Sequence, residues 1–391
     1  MRSELLALRA GHVFDGVDVR QSGMVLVEGG VIRDVDFTGA APPEHAQVTD
    51  FGPEGWLLPG LIDAHVHLCW DGTDEAVAHV ASDDRETVLE TARASAATAL
   101  QAGVTTVRDL GDRDYLVLEL REQVPAEQRP EIVAAGPPIT TRGGHCHFLG
   151  GEVEGADALL AAVRERAERG CDVVKVMASG GMMTPGSNVL HQQYDLSDLR
   201  LIVAEAHRLG LSTAAHVHAA ETIPDVIDAG FDTLEHFTFA TAEGTDLRQE
   251  LLDEVIRRGT FISVTVGRSP AAAAFPPAMA ARVDAMMDLV AKVIASGARV
   301  VAGTDAGIDS AKPHDVLPHA LTHLAELGMP NLDVLRSATT EAAEAVGRSG
   351  RKGVLRPGAG ADLLALGSSP VDDISAVTDI RAVYRAGHRV R

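Results

Sequence analysis

Both ends of the chain alternate short apolar runs with turn signals. Leu5 to Leu8, Met24 to Val27 and Val31 to Phe37 form the first set, with Gly29-Gly30 between the last two. Gly353-Val354-Leu355, Ala361 to Leu366 and Ala382-Val383-Tyr384 form the second, broken by Pro357-Gly358 and Gly367-Ser368-Ser369-Pro370. Runs this short, punctuated by glycine and proline, predict hairpins. The two sets are expected to pair into one small β-sandwich built from residues 1–57 and 352–391.

Between them the texture changes to strand, loop and helix in regular succession, the pattern of parallel βα units. Strands are predicted over 58–67, 105–109, 131–135, 172–177, 213–218, 232–236, 261–266 and 299–305, and a helix over 85–101 that stops at Gly103. Eight such units across residues 58–351 predict an α/β fold of the (β/α)8 TIM-type barrel kind. In such barrels the working residues sit at the carboxyl ends of the strands.

With 391 residues and 46% hydrophobic positions, the chain can fill more than one core, which argues against disorder. Its 34 basic and 56 acidic residues leave a formal charge of −22, which argues against nucleic acid or an anionic membrane as partner. Cys69, Cys146 and Cys171 have no C-x-x-C spacing, so neither a disulfide framework nor a cysteine-rich zinc site is indicated. The opening residues lack the pattern of a secretory signal, and no run approaches the roughly 20 apolar residues of a membrane span. A cytoplasmic protein acting on a small molecule is expected.

The strand ends carry the candidate chemistry. His65 and His67 are two residues apart on one strand, so their imidazoles leave the same face and can grip one metal ion. At the other strand ends stand Lys175, His216 and His218, His236, and Asp305. Each alone is a weak signal, since a strand-end histidine is commonly structural and Asp305 before Ala306-Gly307 can cap a turn. In barrel order they converge on one mouth. Lys175 lies within Val-Val-Lys-Val-Met, where a buried ammonium must be neutralised or paired. Besides an ordinary ion pair, its neutral amine can take up carbon dioxide to form a carbamate whose two oxygens bridge two cations.

At this point the chain resembles the amidohydrolase superfamily over essentially its whole length. The matching pieces are Pro59 to His67, Gly103 to Asp109, Val174-Lys175 with Ser179-Gly180-Gly181, Ala215 to His218, Leu234-Glu235-His236 and Gly303-Thr304-Asp305. Within the superfamily it is similar to the imidazolonepropionase-related branch of binuclear, prolidase-like dipeptidases and N-acyl-amino-acid amidases, through Lys175, the H-x-H of the fifth strand and the loop Gly143-Gly144-His145. The resemblance implies that His65, His67 and Asp305 hold one divalent ion and His216 and His236 a second, with carbamylated Lys175 bridging both. Zinc is the expected metal, with manganese, cobalt and iron as alternatives. It also favours a homo-oligomer.

Two divalent ions about 3.5–4 Å apart make hydroxide available near neutral pH and polarise a carbonyl. Asp305 is then the expected proton carrier and His145 the expected oxyanion stabiliser. His218 would face the substrate, Arg268 and Arg142 are candidate clamps for its carboxylate, and Asp109 is expected to orient a ligand histidine. His147 has no assigned role, and Cys69 and Cys146 are expected to pack. The function expected is hydrolysis of an amide bond in an Xaa-Pro-like dipeptide or an N-acyl amino acid. Alternatives are a carbamate, urea or cyclic-amide hydrolase, a single-metal deaminase reading His218-Ala219-Ala220-Glu221 as its H-x-x-E, and a barrel that only scaffolds an assembly.

Overall fold

The structure, a computed structural model, describes residues 4–391 apart from the side chains of residues 277 and 278. Five strands come first: β1 (Leu6–Phe14), β2 (Val19–Glu28), β3 (Val31–Asp36), β4 (Gln47–Asp50) and β5 (Trp56–Pro59). Eight parallel strands follow: β6 (Leu61–Val66), β7 (Val104–Asp109), β8 (Glu131–Ala134), β9 (Val173–Met177), β10 (Ser212–Ala219), β11 (Thr233–Ala240), β12 (Phe261–Ser263) and β13 (Val300–Val301). The chain closes with β14 (Leu363–Leu366), β15 (Ile380–Arg385) and β16 (His388–Arg389).

The two ends pair with each other, in one eight-stranded sheet of order β16-β15-β14-β5-β1-β2-β3, with β4 alongside β1. Its far edge turns back on itself, because Ile32 N donates to Ala359 O and Ala361 N to Gly30 O just before β14. Leu8, Val13, Val25, Ile32, Leu57, Leu363 and Tyr384 fill its core. The predicted first strand, 58–67, is in fact two. Leu57 and Leu58 pair with Ala365 and Leu364 in the end sheet, and the chain crosses to the parallel strands at Gly60. A Cβ on Gly60 would lie 2.2 Å from Thr105 Oγ1, so only glycine permits this crossing against β7.

The parallel strands form a three-stranded sheet, β6-β7-β8, and a five-stranded sheet, β13-β12-β11-β10-β9. Backbone hydrogen bonds join them at both seams: Ala64 N to Ala302 O and Asp305 N to His65 O on one side, Asp172 N to Ala134 O on the other. Strand alternation sorts the side chains. Val173 and Ala214 join Ile62, Val133 and Val301 in a core on one face, while Val174, Val176, Ala215 and Val217 join the larger core under the helices. Lys175, His216 and His218 therefore share the first face. The helix at 85–101 has the predicted bounds. Asp84 caps it by accepting Thr87 N, and Val88, Ala92, Ser95 and Ala99 line its buried stripe.

Ion pairs couple the end sheet to the parallel strands. Glu131, at the start of β8, accepts from Arg348 at 2.7 Å and Lys352 at 3.1 Å; Arg348 also meets Asp172, and Lys352 and Arg385 converge on Asp362. Burial pushes the Glu131 carboxyl up, but Lys352 and Arg348 outweigh it and hold the group at about 2 against an ordinary 4.5. Because the folded value is the lower one, the stabilisation is fully present above 4.5 and is lost as pH falls towards 2. It amounts to about 2–3 kcal/mol near neutrality. Urea unfolding of wild type and Glu131→Gln across pH 2–7 is expected to converge at the acid end, and parallel curves throughout would refute the assignment.

Candidate metal centre

Two groups of potential ligands meet at the carboxyl ends of the strands: His216, His218 and His236 in one, and His65, His236 and Asp305 in the other, with ligand atoms in each within 4.8 Å of one another. The rings of His216, His218 and His236 lie 4.6–4.7 Å apart, and His65 is 5.2 Å from His236, so the groups share a wall. His67 Nε2 completes the second group at 3.2 Å from Asp305 Oδ1. Burial, opposed by the nearby carboxylates, still lowers His65 to about 4, and His218 likewise, which keeps both imidazoles neutral and fit to ligate.

Each ring has one nitrogen engaged, which leaves the other available. His65 Nδ1 bonds Glu235 at 2.8 Å, His67 Nδ1 bonds Gly111 O at 3.1 Å, His218 Nδ1 bonds Thr238 Oγ1 and His236 Nδ1 bonds Thr265 Oγ1, which leaves four Nε2 atoms to the site, those of His65 and His67 lying 3.4 and 3.2 Å from Asp305 Oδ1. His216 is the reverse, with Nε2 against Gly180 O at 3.2 Å and Nδ1 free. His236, Asp305 and Thr265 adopt φ of +69°, +63° and +47°, a region that L-residues with side chains rarely occupy. Lys312 clamps this corner by donating to Thr265 O and Thr304 O at 2.8 and 2.6 Å. Such strain is held at functional sites by the surrounding structure.

Lys175 is 1% exposed, and its Nζ has no hydrogen-bond partner among the described residues. Burial, only partly offset by Glu235 and Asp305, brings its ammonium down to about 8. Burial raises Asp305, but His65 and His67 outweigh it and hold that carboxyl far below the usual range.

His145 joins the histidine cluster, its ring 4.6 Å from that of His216, and it is 4% exposed. Gln193 fastens this loop by accepting His145 N at 2.8 Å and donating to Met177 O. His147 lies outside, with its ring against Phe148. Arg142 is exposed, with no side-chain partner among the described residues. Arg268 is turned into its own loop, stacked 3.8 Å over Phe275 and bonded to Ala273 O. Asp109 makes no bond to a histidine ring. It accepts Leu68 N and Gly111 N, and so shapes the turn whose Gly111 O holds His67. Glu221, needed for the single-metal reading, is 80% exposed and paired with Arg248, away from the cluster.

The carboxylate that does hold a candidate ligand ring, that of His65, is Glu235, which sequence reasoning left without a role. Fully buried, it bonds His65 Nδ1, Arg108 Nη2 and Thr233 Oγ1, and Arg108 also donates to Ala64 O. Burial raises its carboxyl, but Arg108 and His65 outweigh this and keep it ionised. Opposite charges inside two apolar strands, Val-Arg-Asp and Leu-Glu-His, were the available signal.

Ochratoxinase of Aspergillus niger is 28% identical over 358 residues, spanning 84% of this chain and 73% of its own length. A Xaa-Pro dipeptidase solved with methionine in its active site superposes with a TM-score of 0.87 at 27% identity, covering 99% of this chain and 100% of that one. A prolidase solved with N-methylphosphonate-L-proline gives 0.85 at 26%, with 99% of each chain covered. The Amidohydrolase family profile matches residues 56–390, from β5 to the last strand and across every strand end described above. The chain therefore belongs to the amidohydrolase family and is a hydrolase.

Proposed function

We propose that this chain is a binuclear metal-dependent hydrolase that cleaves an amide bond in an Xaa-Pro-like dipeptide or an N-acyl amino acid. The observation that carries it is Lys175, whose buried Nζ has no hydrogen-bond partner among the described residues and whose charge bears on histidines of both groups, His65 in one, His216 and His218 in the other, and His236 in both. A bare ammonium there is costly, whereas its carbamate is an anion that two cations share. His65, His67 and Asp305 would hold one cation, His216 and His236 the other, and carbamylated Lys175 both. Imidazole, carboxylate and carbamate suit zinc, manganese, cobalt or iron. At the level of the fold, we read residues 58–351 as one closed (β/α)8 barrel and the two ends as a single appended unit.

Divalent cations bound there supply polarisation of the scissile carbonyl and acidify the attacking water. Asp305, kept ionised by His65 and His67, accepts that water's proton and returns it to the leaving nitrogen. His145 donates to the developing oxyanion, and His218 meets the substrate with the nitrogen that Thr238 leaves free. Arg268 would meet a substrate carboxylate by exchanging Ala273 O for it. The dipeptide reading draws support from the dipeptidase and prolidase likenesses.

Protein purified without chelator is expected to carry close to two divalent ions per chain by elemental analysis. It should hydrolyse members of a panel of dipeptides and N-acyl amino acids, lose that activity on chelation and regain it with added metal. One ion in a fully loaded chain, or turnover only of carbamates, ureas, cyclic amides or amino-heterocycles in the same panel, would replace this reading.

A further inference from the structure

Asp305 is tied by backbone to the strand that carries His65 and His67. Asp305 N donates to His65 O at 2.8 Å, and His67 N donates to Ala306 O at 2.9 Å. Towards β12 no such tie exists. The pairing of β12 with β13 ends at Ser263 and Val301, and among the described residues no backbone hydrogen bond joins residues 264–266 to residues 302–306. Thr265, whose Oγ1 holds His236 Nδ1 at 2.8 Å, and Thr304, which precedes Asp305, stand on opposite sides of that gap.

One side chain spans it. Lys312 Nζ donates to Thr265 O at 2.8 Å and to Thr304 O at 2.6 Å, and among the described residues neither carbonyl has another donor. Carbonyls beyond the end of a ladder need a partner, and one ammonium, with its three hydrogens, serves both. The lysine is itself fixed: Gly307 N donates to Lys312 O, Lys312 N to Asp309 O, and Ser269 N to the adjoining Ala311 O. Thr265 and Asp305 hold φ of +47° and +63°, conformations that persist only where the surrounding structure enforces them.

We propose that Lys312 is a positioning residue that fixes the spacing of His236 and Asp305, by tying the residue that holds the His236 ring to the backbone of Asp305 where the strands do not pair. The ligand atoms of these two side chains lie within 4.8 Å of each other. Their assignment to different cations, and so the consequence for a metal pair, rests on the binuclear reading. A lysine acting only through its charge would have the opposite effect on binding, because a nearby positive charge disfavours cations and its removal tightens them.

The test is cobalt(II) titration of the metal-free full chain, followed by its visible d–d absorption, in wild type, Lys312→Met and Lys312→Arg. Methionine is expected to weaken binding roughly tenfold and to change the positions and intensities of the bands, which report ligand geometry. Arginine keeps the charge and a two-pronged donor, and should restore both in large part. Lys312→Gln, uncharged and one bond shorter, replaces methionine if that chain does not fold and carries the same expectation. Unchanged bands in the uncharged variant overturn the proposal, and tighter binding alongside them would leave Lys312 as a charge alone. A wild-type chain that saturates with one ion overturns the binuclear reading instead. The same comparison then still decides the role of Lys312, because His236 and Asp305 stand in one ligand group.

Discussion

Lys175→Ala is expected to lower the metal content from two ions per chain to one or fewer and to reduce amide hydrolysis by about a thousandfold or more. The carbamate oxygens are the only ligands proposed to be common to both cations, so their loss weakens both positions together. The substitution removes a partnerless amine from a buried site and leaves a small apolar side chain in its place, so the fold should survive. Elemental analysis and steady-state kinetics on the same preparation check it. A variant with undiminished metal and rate would show that Lys175 is only a neutral core residue.

Glu235→Ala is expected to cost about 3–5 kcal/mol of stability, because it strands Arg108 as an unpaired buried charge. It also frees His65 Nδ1, so metal affinity should fall roughly 10–100-fold. Denaturant unfolding measures the first effect and metal titration the second. Equal stability with Arg108 still buried would mean that the guanidinium is satisfied by Ala64 O and Thr233 alone. The paired variant, Glu235→Leu with Arg108→Met, removes both charges and should recover much of the stability without recovering the affinity.

These expectations differ in how visible they were beforehand. Lys175, His65, His67, His216, His236 and Asp305 were legible because strand periodicity put each at a strand end and because their residue types share one chemistry. Lys312 and Gln193 were not, since nothing in a loop sequence says which side chain folds back on the strand ends or on a histidine. Arg268 is the opposite case. Its place after a strand suggested an open clamp, yet Phe275 and Ala273 O, a few residues on, offer the guanidinium local partners.

The alternation of apolar and polar positions determined by itself that eight strands alternate with helices, and that the chain's two ends belong together. A strand's period of two and a helix's stripe are local properties, carried by the residues that form them. Only the tertiary structure decided that the ends make a single sheet, that the chain changes sheets at Gly60, that Glu235 rather than Asp109 bonds the ring of a candidate ligand histidine, and that Glu221 faces solvent. Those outcomes depend on which backbones approach closely and which buried charges find each other. Glu235 and Arg108 are separated by 127 positions along the chain yet are bonded at 2.8 Å, a distance set by packing alone.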